Sequence, residues 1–573
     1  KKKIVYANKK FAVKQKKSKK GSKKEQQNKN AFNQKRMAKN KDKQQIVFTQ
    51  EEPKISAKKN KPLLEKIQDV AYRRGIAFPA ADIYGGLSGV FDFGPIGTLM
   101  RQKLIAFWRE YFVKSEGHYE IEGAIILPEK VFKASGHLKK FCDPLVQCTK
   151  CKSMFRADKI IEEKLQQNAD GLTPKELDKI IQENNLCCPK CGGAFMNARE
   201  FNLMLRTEVG SVESNVAYLR PETAQNIFTN FKRIAHTMRA KLPFGIAQVG
   251  KVYRNEISPR QFIIRVREFT QMELEVFFAE EQLDDPPNFI EIADEELPIL
   301  TRELQKKGIE KPVKRTAEKA VKEKLLPNAA MAYYLAKEKI LFEEIGIKPE
   351  MIRFRHMLPK ETPHYSGGNY DLEVKLSIGW TEVVGNAFRQ QHDLKSHEKE
   401  SNTKMGIQHT NGNVIPYVIE PSIGVGRTLY CVLESCYRET DDREWTWFQF
   451  PPTIAPYDVK VCPLMKKDGL EEKALELFEE LKEEGLEATF DSSGKIGKRY
   501  ARADEIGIPY CVTIDYQTLE DETITIRDRD SMEQIRVERE ELVDVLILLL
   551  SGENSFTEIK KLLVEDEQQK EQQ

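Results

Sequence analysis

The chain has 573 residues, of which 40% are hydrophobic and 31% charged, and its formal net charge is +4. This length exceeds one hydrophobic core, so we expect about three or four folded units. The sequence has no run of about 18 apolar residues, which excludes a membrane-spanning helix. The first residues do not resemble a secretory signal, and the ten cysteines are sparse, so we expect a cytoplasmic protein that binds no membrane.

Residues 1–60 carry most of the positive charge. Their 20 lysines and one arginine face only four acids, whereas the other 513 residues hold 71 basic and 84 acidic side chains. Lys, Gln and Asn dominate this segment, and such a composition cannot bury enough apolar surface to order itself. We predict a disordered tail over 1–60, either an arm that binds a polyanion such as RNA or a solubilising extension.

Residues 61–450 mix helix and strand patterns and predict one α+β domain. Leu63–Arg74 and Leu104–Val113 have helical periodicity, and Ile121–Leu127 is predicted as a buried strand that Pro128 ends. Two insertions are expected in this domain. The first spans 142–195, and the second spans 280–350, where Lys-rich helical sequence dominates.

The pattern resets after Pro451-Pro452. Strands and helices then alternate, which predicts a separate α/β domain over 451–550, followed by a C-terminal tail over 551–573. The predicted elements in chain order are Val459–Leu464, Glu471–Glu484, Ala488–Phe490, Tyr500–Ile506 and Tyr510–Ile514.

Four cysteines occur in two CxxC pairs, Cys148 with Cys151 and Cys188 with Cys191. Two such turns can close a tetrahedral shell of four thiolates, which suits zinc. All four ligand positions would be filled by protein, so a bound ion would be structural. The alternative is four unligated thiols.

Four segments combine arginine with glutamate, and two of them also contain glycine, in a way that suits a phosphate-bearing substrate. Guanidinium groups can bind phosphates with two hydrogen bonds, and an aromatic face can stack on a purine. Each segment alone could also be an exposed ion-pair ladder. The segments are Tyr218-Leu-Arg-Pro-Glu-Thr-Ala-Gln225, Arg254-Asn-Glu-Ile-Ser-Pro-Arg260 with Arg265-Val-Arg-Glu-Phe269, Trp380-Thr-Glu-Val-Val-Gly-Asn-Ala-Phe-Arg389, and Glu420-Pro-Ser-Ile-Gly-Val-Gly-Arg427.

Taken in order with Tyr84-Gly-Gly, Ala134-Ser-Gly-His137 and Phe201-Asn-Leu-Met204, these segments resemble the dimeric glycyl-tRNA synthetases of class II. The cysteine pairs make the archaeal branch the most similar. The resemblance runs from about residue 64 to 550. It implies a class II antiparallel sheet flanked by helices, a C-terminal α/β anticodon-binding domain, and a homodimer whose interface includes the segment ending at Pro128.

The resemblance also implies the ATP site. Arg254, Glu256 and Arg427 would be catalytic: Arg254 would hold the α-phosphate and Arg427 the terminal phosphate. Phe269 would stack on adenine, and Glu382 would hold Mg²⁺ between phosphates. The implied ATP-binding residues are Arg254, Asn255, Glu256, Arg265, Val266, Phe269, Glu382, Val383 and Arg427.

Glycine offers an ammonium, a carboxylate and no side chain. Its pocket needs acids for the ammonium, and Glu222, Glu273 and Glu420 match the family positions for this role. It also needs a crowded wall that excludes a methyl group, and Ser422 is the candidate, while Pro421 beside it is expected to bind glycine as well. Because every other amino acid is larger, an editing domain is not required. His137 is expected to be structural.

Three further positions carry expectations. Basic residues beside Tyr500, in Gly494-Lys-Ile-Gly-Lys-Arg-Tyr500, resemble the anticodon-binding domain and suit RNA phosphates and a stacked base. Asn226 and the pair Gln261-Phe262 stand where the family usually has glycine. We expect these substitutions to alter flexibility near the tRNA end or the ATP loop.

Two other functions remain open on the sequence. The chain could be a class II synthetase for threonine, proline or histidine, which share the C-terminal domain and part of the motifs. It could instead be a non-catalytic, synthetase-like accessory protein. Such a protein should have lost its ATP-binding arginines, whereas Arg254 and Arg427 are both present.

Overall fold

The computed structural model describes residues 61–571 except 168, 170, 212–214, 363–365 and 411. The predicted tail over 1–60 therefore lies outside the described residues. The described chain forms two compact units, one of residues 66–456 with 505–507 and one of residues 61–65, 457–504 and 508–571. Among the described helices, none has both the length and the apolar character needed to cross a membrane.

A nine-stranded sheet is the centre of the larger unit. Its neighbouring strands are antiparallel except in two pairs, which confirms the predicted antiparallel sheet. In spatial order the strands are Val313–Thr316, Glu296–Leu300, Ile352–His356, Asn369–Leu376, Gly379–Gln390, Tyr417–Gly424, Glu268–Phe278, Phe244–Tyr253 and Tyr119–Glu120.

Helices accompany this sheet, as predicted for an α+β domain. The longer ones are Leu63–Arg73, Pro95–Trp108 (which continues as a π-helix to Lys114), Ala224–Thr237, Ala329–Glu344, His392–Ser401 and Val425–Cys436. The shorter ones are Glu129–Ala134, His137–Lys140, Arg302–Lys306 and Ala317–Lys322. Two-stranded sheets pair Ala77–Pro79 with Phe91–Phe93, Ile407–His409 with Gly412–Val414, and Tyr437–Arg438 with Trp447–Phe448.

The pairing register of the three central strands determines which side chains share a face of the sheet and can form a site together. Ser422 pairs with Glu273 on one side and with Gly385 on the other. Side chains alternate between the two faces of a sheet, so Met272, Val384 and Ile423 point to the opposite face. These three residues are fully buried or nearly so and belong to the core. The face that carries Glu273 and Ser422 is left for a ligand.

The larger unit also contains two separate three-stranded sheets. The first contains Ile126–Pro128, Val216–Leu219 and Leu205–Glu208. The second contains Met154–Arg156, Cys142–Gln147 and Arg199–Asn202, and it carries the cysteine pairs. The expected insertion over 142–195 also contains two helices, Ala157–Leu165 and Pro174–Glu183, whose apolar faces share one small core.

The smaller unit is built on a five-stranded sheet. In spatial order its strands are Ala488–Phe490, Val459–Pro463, Tyr510–Ile514, Thr523–Asp528 and Gln534–Glu538. Its helices are Leu470–Glu483, Ile496–Glu505, Tyr516–Asp521, Leu542–Ser551 and Phe556–Glu571. The predicted strands and the first helix occur nearly where expected, while the second helix begins at Ile496, before the predicted Tyr500.

The prediction of one buried strand over Ile121–Leu127 was wrong. The segment is irregular between Glu120 and Ile126, and the Ile126 side chain is 49% exposed. Side chains satisfy its backbone: Arg220 donates to the carbonyl of Gly123 at 2.9 Å, and Asn226 donates to that of Ala124 at 3.1 Å. These donors replace a strand neighbour, so the carbonyls do not need a ladder.

Two predicted boundaries also differ from the structure. Segment 280–350 is not a helical insertion, because Glu296–Leu300 and Val313–Thr316 extend the main sheet. The many lysines of this segment suggested an exposed helical insertion. Lys337 and Lys339 are instead buried and ion-paired, Lys337 with Glu116 and Lys339 with Glu295. Residues 551–573 are not simply a tail, because Phe556–Glu571 is a helix that places Phe556 in the core of the smaller unit.

Candidate active site

A cavity of about 630 Å³ opens on the free face of the central strands. It is lined by every candidate substrate-binding residue except Asn255 and Pro421. Pro421 is buried and alternates with the lining residues Glu420 and Ser422, so it points to the other face of the sheet. The candidates that line the cavity are Glu222, Arg254, Glu256, Arg265, Val266, Phe269, Glu273, Glu382, Val383, Glu420, Ser422 and Arg427.

Ser422 is held firmly in the wall of this cavity. Its hydroxyl donates to Oε1 of Glu273 at 2.8 Å and lies 3.1 Å from Nε2 of Gln271. The other carboxylate oxygen of Glu273 accepts from the backbone amide of Thr223 at 2.6 Å and from the Thr223 hydroxyl. A side chain with this many partners has little room to move. Ser422 therefore forms a fixed wall beside the acids.

Arg389 is the centre of the acidic part of the site, and the sequence analysis gave it no role. It is 1% exposed and donates to Glu420 at 2.9 Å and to both oxygens of Asp393 at 2.8 and 2.9 Å. Its Nη2 lies 3.7 Å from Oε1 of Glu222. The four-residue spacing to Asp393 was visible in the sequence, but nothing there placed Glu420 or Glu222 next to them.

Burial perturbs the acids around Arg389 in different directions. Burial raises the pKa of Glu420 to about 8, and the nearby Glu273 and Glu222 add to that effect against the attraction of Arg389. Burial also raises the pKa of Glu273, as does the charge of Glu222. Burial alone would raise the pKa of Glu222 as well, but His137 and Arg389 outweigh it and lower that pKa. The site thus holds both ionised and neutral acids.

His137 lies in this cavity and has well-defined partners. Its Nδ1 is 2.7 Å from the hydroxyl of Ser135, and its Nε2 is 3.5 Å from Oε2 of Glu222. The ring also packs edge-on against Phe132 and Phe141. It was expected to be structural, and these contacts fit that role, but they also make it an orienting neighbour of Glu222.

The arginines form a second part of the cavity. Arg254 donates to the carbonyl of Pro221 at 3.1 Å, and its guanidinium lies over the rings of Phe141 and Phe269 at 5.4 and 5.2 Å. Arg265 donates to Glu256 at 2.8 Å. These contacts orient Arg254 and Arg265 before any ligand binds. Asn255 does not line the cavity, and its backbone amide donates to the carbonyl of Leu203.

Arg427 and two acids lie on the remaining wall. Arg427 donates to the carbonyls of Ile264 at 3.1 Å and Glu382 at 2.9 Å. Glu382 and Asp371 both line the cavity, and burial followed by repulsion from Glu382 raises the pKa of Asp371. Neighbouring carboxylate oxygens of this kind fit a hard divalent cation such as Mg²⁺. Asp371 was missed because its strand carries no recognisable motif.

Asn226 and Phe262 have well-defined contacts, while the expected effect of Asn226 and Gln261-Phe262 on flexibility stays a prediction. Asn226 is 2% exposed and accepts from Arg220 at 3.2 Å. Gln261 and Phe262 both have positive φ, 63° and 56°, which explains why glycine suits these positions. Phe262 is buried and packs edge-on against Tyr72, Phe91 and Tyr430.

The four CxxC cysteines converge on one point. Their sulfur atoms all lie within 4.8 Å of one another, with Cys148 at 3.5 Å from Cys191 and Cys151 at 3.6 Å from Cys188. A tetrahedral ion with metal–sulfur bonds of about 2.3 Å needs sulfur atoms roughly 3.8 Å apart. The donor set and its spacing therefore fit zinc. Cys187 lies outside this cluster and is exposed.

The candidate RNA-binding residues of the smaller unit fall into two groups. Arg499 is 2% exposed and donates to the carbonyls of Pro463, Ser492 and Gly494, so it is structural and cannot contact RNA as predicted. Lys495 and Lys498 are exposed at the start of the same helix. Tyr500 is half-buried, its hydroxyl is 2.7 Å from that of Thr513, and Arg527 covers its ring.

Two protein families match the chain, one in each unit. The "tRNA synthetase class II core domain (G, H, P, S and T)" matches residues 211–436, and the "Anticodon binding domain" matches residues 458–548. A prolyl-tRNA synthetase of Cryptosporidium parvum, solved with halofuginone and AMPPNP, shares the fold. Its TM-score is 0.52 at 12% identity, over 85% of this chain and 76% of that chain.

Curated relatives match over nearly their whole length. A glycine–tRNA ligase of Methanocaldococcus jannaschii is 39% identical, over 85% of this chain and 99% of that protein. One of Aeropyrum pernix is 40% identical, over 84% and 96%. One of Methanococcus vannielii is 38% identical, over 84% and 99%. The chain belongs to the glycine–tRNA ligase family, with a class II synthetase core in its larger unit and an anticodon-binding domain in its smaller unit.

Proposed function

We propose that this chain activates glycine with ATP and then transfers it to the 3′-terminal ribose of its tRNA. One observation carries the proposal: acids and arginines line the same cavity of about 630 Å³. The acids suit the ammonium group of an amino acid, and the arginines suit phosphates. The family membership supports this reading over a threonine, proline or histidine enzyme. The presence of Arg254 and Arg427 also argues against a non-catalytic accessory protein, which should have lost its ATP-binding arginines.

Glycine would be selected by charge and by exclusion. Glu222, Glu273 and Glu420 would surround its ammonium group, and Arg389 would hold two of these acids in place. Ser422 would stand where any side chain would have to go. Because its hydroxyl is bound to Glu273 and Gln271, it cannot turn aside for a methyl group without breaking those hydrogen bonds.

In the first step a carboxylate oxygen of glycine attacks the α-phosphorus of ATP, and the bond to pyrophosphate breaks. Arg254 would neutralise the charge that grows on the α-phosphate, and Arg427 would hold the terminal phosphate. Phe269 would stack on adenine. Glu382 and Asp371 would hold Mg²⁺, which supplies positive charge between the phosphates when bound.

In the second step the ribose hydroxyl of tRNA attacks the carbonyl carbon of glycyl-adenylate and releases AMP. Catalysis here is positioning and charge stabilisation, so the site needs no covalent nucleophile of its own. Lys495 and Lys498 of the smaller unit would contact tRNA phosphates. Zinc on Cys148, Cys151, Cys188 and Cys191 would hold the inserted sheet together.

The working form would be a cytoplasmic homodimer. Ile125 and Ile126, in the segment that ends at Pro128, are 37% and 49% exposed, and Ile126–Pro128 is an edge strand. Exposed apolar residues on an unpaired strand edge are a suitable self-complementary surface. Light scattering of the purified protein should give about twice the chain mass of 66.1 kDa.

The function is tested by aminoacylation with tRNA and labelled amino acids. Glycine should become attached to tRNA, while threonine, proline and histidine should not. Arg427→Ala should lower kcat/KM for ATP at least tenfold without changing the thermal unfolding midpoint. Charging with one of the other three amino acids, or no charging by a folded and metal-loaded sample, would refute the proposed function.

A further inference from the structure

Acids outnumber cations around the proposed glycine pocket. Arg389 contacts Asp393 and Glu420 directly and lies 3.7 Å from Glu222. Glu273 acts electrostatically on Glu420, and Glu275 is subject to the charges of Glu420, Glu273, Asp393 and Arg389. Ionising all five carboxyl groups, of which four are buried and Glu222 is half-buried, is unfavourable, because the two nearby guanidinium groups, Arg389 and Arg220, are fewer than the acids and unpaired charges are costly in a low-dielectric interior. The empty pocket therefore favours protonation of some of these acids.

Glu275 is the acid that the proposed reaction does not use. It follows Glu273 by two residues on the same strand, so both point to the same face of the sheet. It is fully buried, and neither carboxyl oxygen has a hydrogen-bond partner among the described residues. Burial, reinforced by the charge of Glu420, raises its pKa well above the usual range. Its burial without a hydrogen-bond partner therefore favours the protonated, neutral form of Glu275.

Glu420 differs from Glu275 because it reaches the cavity and has a partner. It lines the pocket and accepts from Arg389 at 2.9 Å. With its pKa raised by burial to about 8, it is mostly protonated in the empty pocket at neutral pH. An ammonium group beside it would favour the carboxylate instead.

The other charged and titratable groups around these acids do not supply the positive charge that the proton on Glu420 provides. His137 faces Glu222 from the helix His137–Lys140. His397, from the helix His392–Ser401, lies 2.8 Å from Oε1 of Gln225, and burial lowers its pKa. Arg220 acts on Glu273 but donates to the backbone of Gly123 and Lys251. None of these groups supplies a further positive charge at Glu420, whereas the ammonium group of glycine would.

We propose that glycine enters this pocket in exchange for a proton, which Glu420 releases while Glu275 behind it stays neutral. The inference rests on the proposed function and deepens it. The O–H bond of the Glu420 carboxyl breaks, and the proton leaves to solvent through the open cavity. The ammonium group of zwitterionic glycine keeps its three protons and takes the place of the lost positive charge.

The experiment is a pH profile of glycine-dependent pyrophosphate exchange, measured between pH 6 and 9 at saturating ATP. The kcat/KM for glycine should rise with pH, approach a tenfold gain per unit well below pH 8, and level off above it. The KM for ATP should change little over this range. A pH indicator in weak buffer at pH 7.5 should also record up to about one proton released per site when glycine is added without ATP.

Two variants test which carboxyl group, Glu420 or Glu275, releases the proton. Glu420→Gln cannot release a proton, so its activity should fall and its profile should become flat. Glu275→Gln remains neutral and keeps a hydrogen-bond donor, so it should stay within about threefold of wild type at pH 7.5 with the same profile. Thermal unfolding checks that both variants are folded.

Each contrary result has a separate meaning. A flat wild-type profile, or a wild-type profile retained by Glu420→Gln, overturns the exchange of a proton. A loss of more than about thirtyfold in a folded Glu275→Gln variant shows that Glu275 is ionised and also overturns the inference. Exchange that depends on another amino acid, or on none, would instead refute the proposed function.

Discussion

Nδ2 of Asn386 donates to Oε2 of Glu338 at 2.9 Å, and both side chains are fully buried. The second carboxyl oxygen of Glu338, Oε1, and the amide oxygen of Asn386, Oδ1, have no hydrogen-bond partner among the described residues. Burial raises the pKa of Glu338 well above its usual range. A protonated Glu338 has an O–H that the unpaired Asn386 oxygen can accept. The two residues form an acid–amide pair that supports the strand carrying Gly385 and Arg389.

Glu338→Gln should therefore stabilise the protein at neutral and higher pH. A raised folded-state pKa means that Glu338 contributes fully below the unfolded pKa of about 4.3, and that this stability is lost as pH rises toward the folded value. Glutamine keeps both hydrogen bonds and does not ionise in the unfolded state. Thermal unfolding should show a larger advantage of the variant at pH 8.5 than at pH 6.

Glu338→Leu is the matched control, since it removes the partner of Asn386. It should lower the free energy of unfolding by about 1–3 kcal/mol, the cost of an unsatisfied buried polar group. An advantage of Glu338→Gln that shrinks with rising pH would contradict a neutral Glu338.

Arg389→Gln should lower the free energy of unfolding and raise the KM for glycine. It leaves Asp393 buried without its cation, which costs about 3–5 kcal/mol for a buried ion pair, and it removes the hydrogen-bond donor of Glu420. Where the variant still folds, the KM for glycine should rise more than tenfold while the KM for ATP changes less than threefold. Arg109→Gln, which removes an exposed ion pair with Glu120, should cost less than about 1 kcal/mol. Equal effects of the two substitutions would argue against a central role of Arg389.

Cys188→Ser should release the metal, whereas Cys187→Ser should not. Cys188 is one of the four converging thiols, and its neighbour Cys187 is exposed and outside the cluster. Metal analysis should find about one zinc per chain in the wild type and in Cys187→Ser, and much less in Cys188→Ser. Retention of zinc by Cys188→Ser, or its absence from freshly purified wild type, would remove the structural zinc site.

The two basic groups of the smaller unit should respond differently to substitution. Replacing both Lys495 and Lys498 by alanine should raise the KM for tRNA several-fold and weaken its salt dependence, with no change in the unfolding midpoint. Arg499→Leu should destabilise this unit, because three carbonyls lose their donor. If Arg499→Leu lowers tRNA affinity in a fully stable protein, its assignment as structural is incorrect.

The fold class and most residues of the cavity could be predicted from the sequence, because they depend on local patterns or on motifs in a fixed order. Glu420 and Ser422 lie in one motif, Glu273 follows another by four residues, and strand periodicity places their side chains on one face. Arg389 stands at the end of a motif, but its role depends on acids from three distant segments. Residues such as Glu275 and Glu338 are unpredictable from sequence, since an acid in a strand or helix normally indicates exposure.

The errors have a similar origin. Ile121–Leu127 is apolar like a buried strand, yet Arg220 and Asn226 satisfy its backbone from elsewhere in the chain. Arg499 belongs to a basic run that suits RNA, but its donors turn inward to backbone carbonyls. In both cases long-range hydrogen bonds decided the outcome, and local composition does not contain them.

The most direct test of the central claim is pyrophosphate exchange into ATP by the wild-type protein, with glycine, alanine, serine or no amino acid. Exchange should depend on glycine, and kcat/KM for alanine and serine should be lower by at least about a hundredfold, because Ser422 and the acids leave no room for a side chain. Exchange without an amino acid, or exchange that prefers alanine or serine, would contradict the account.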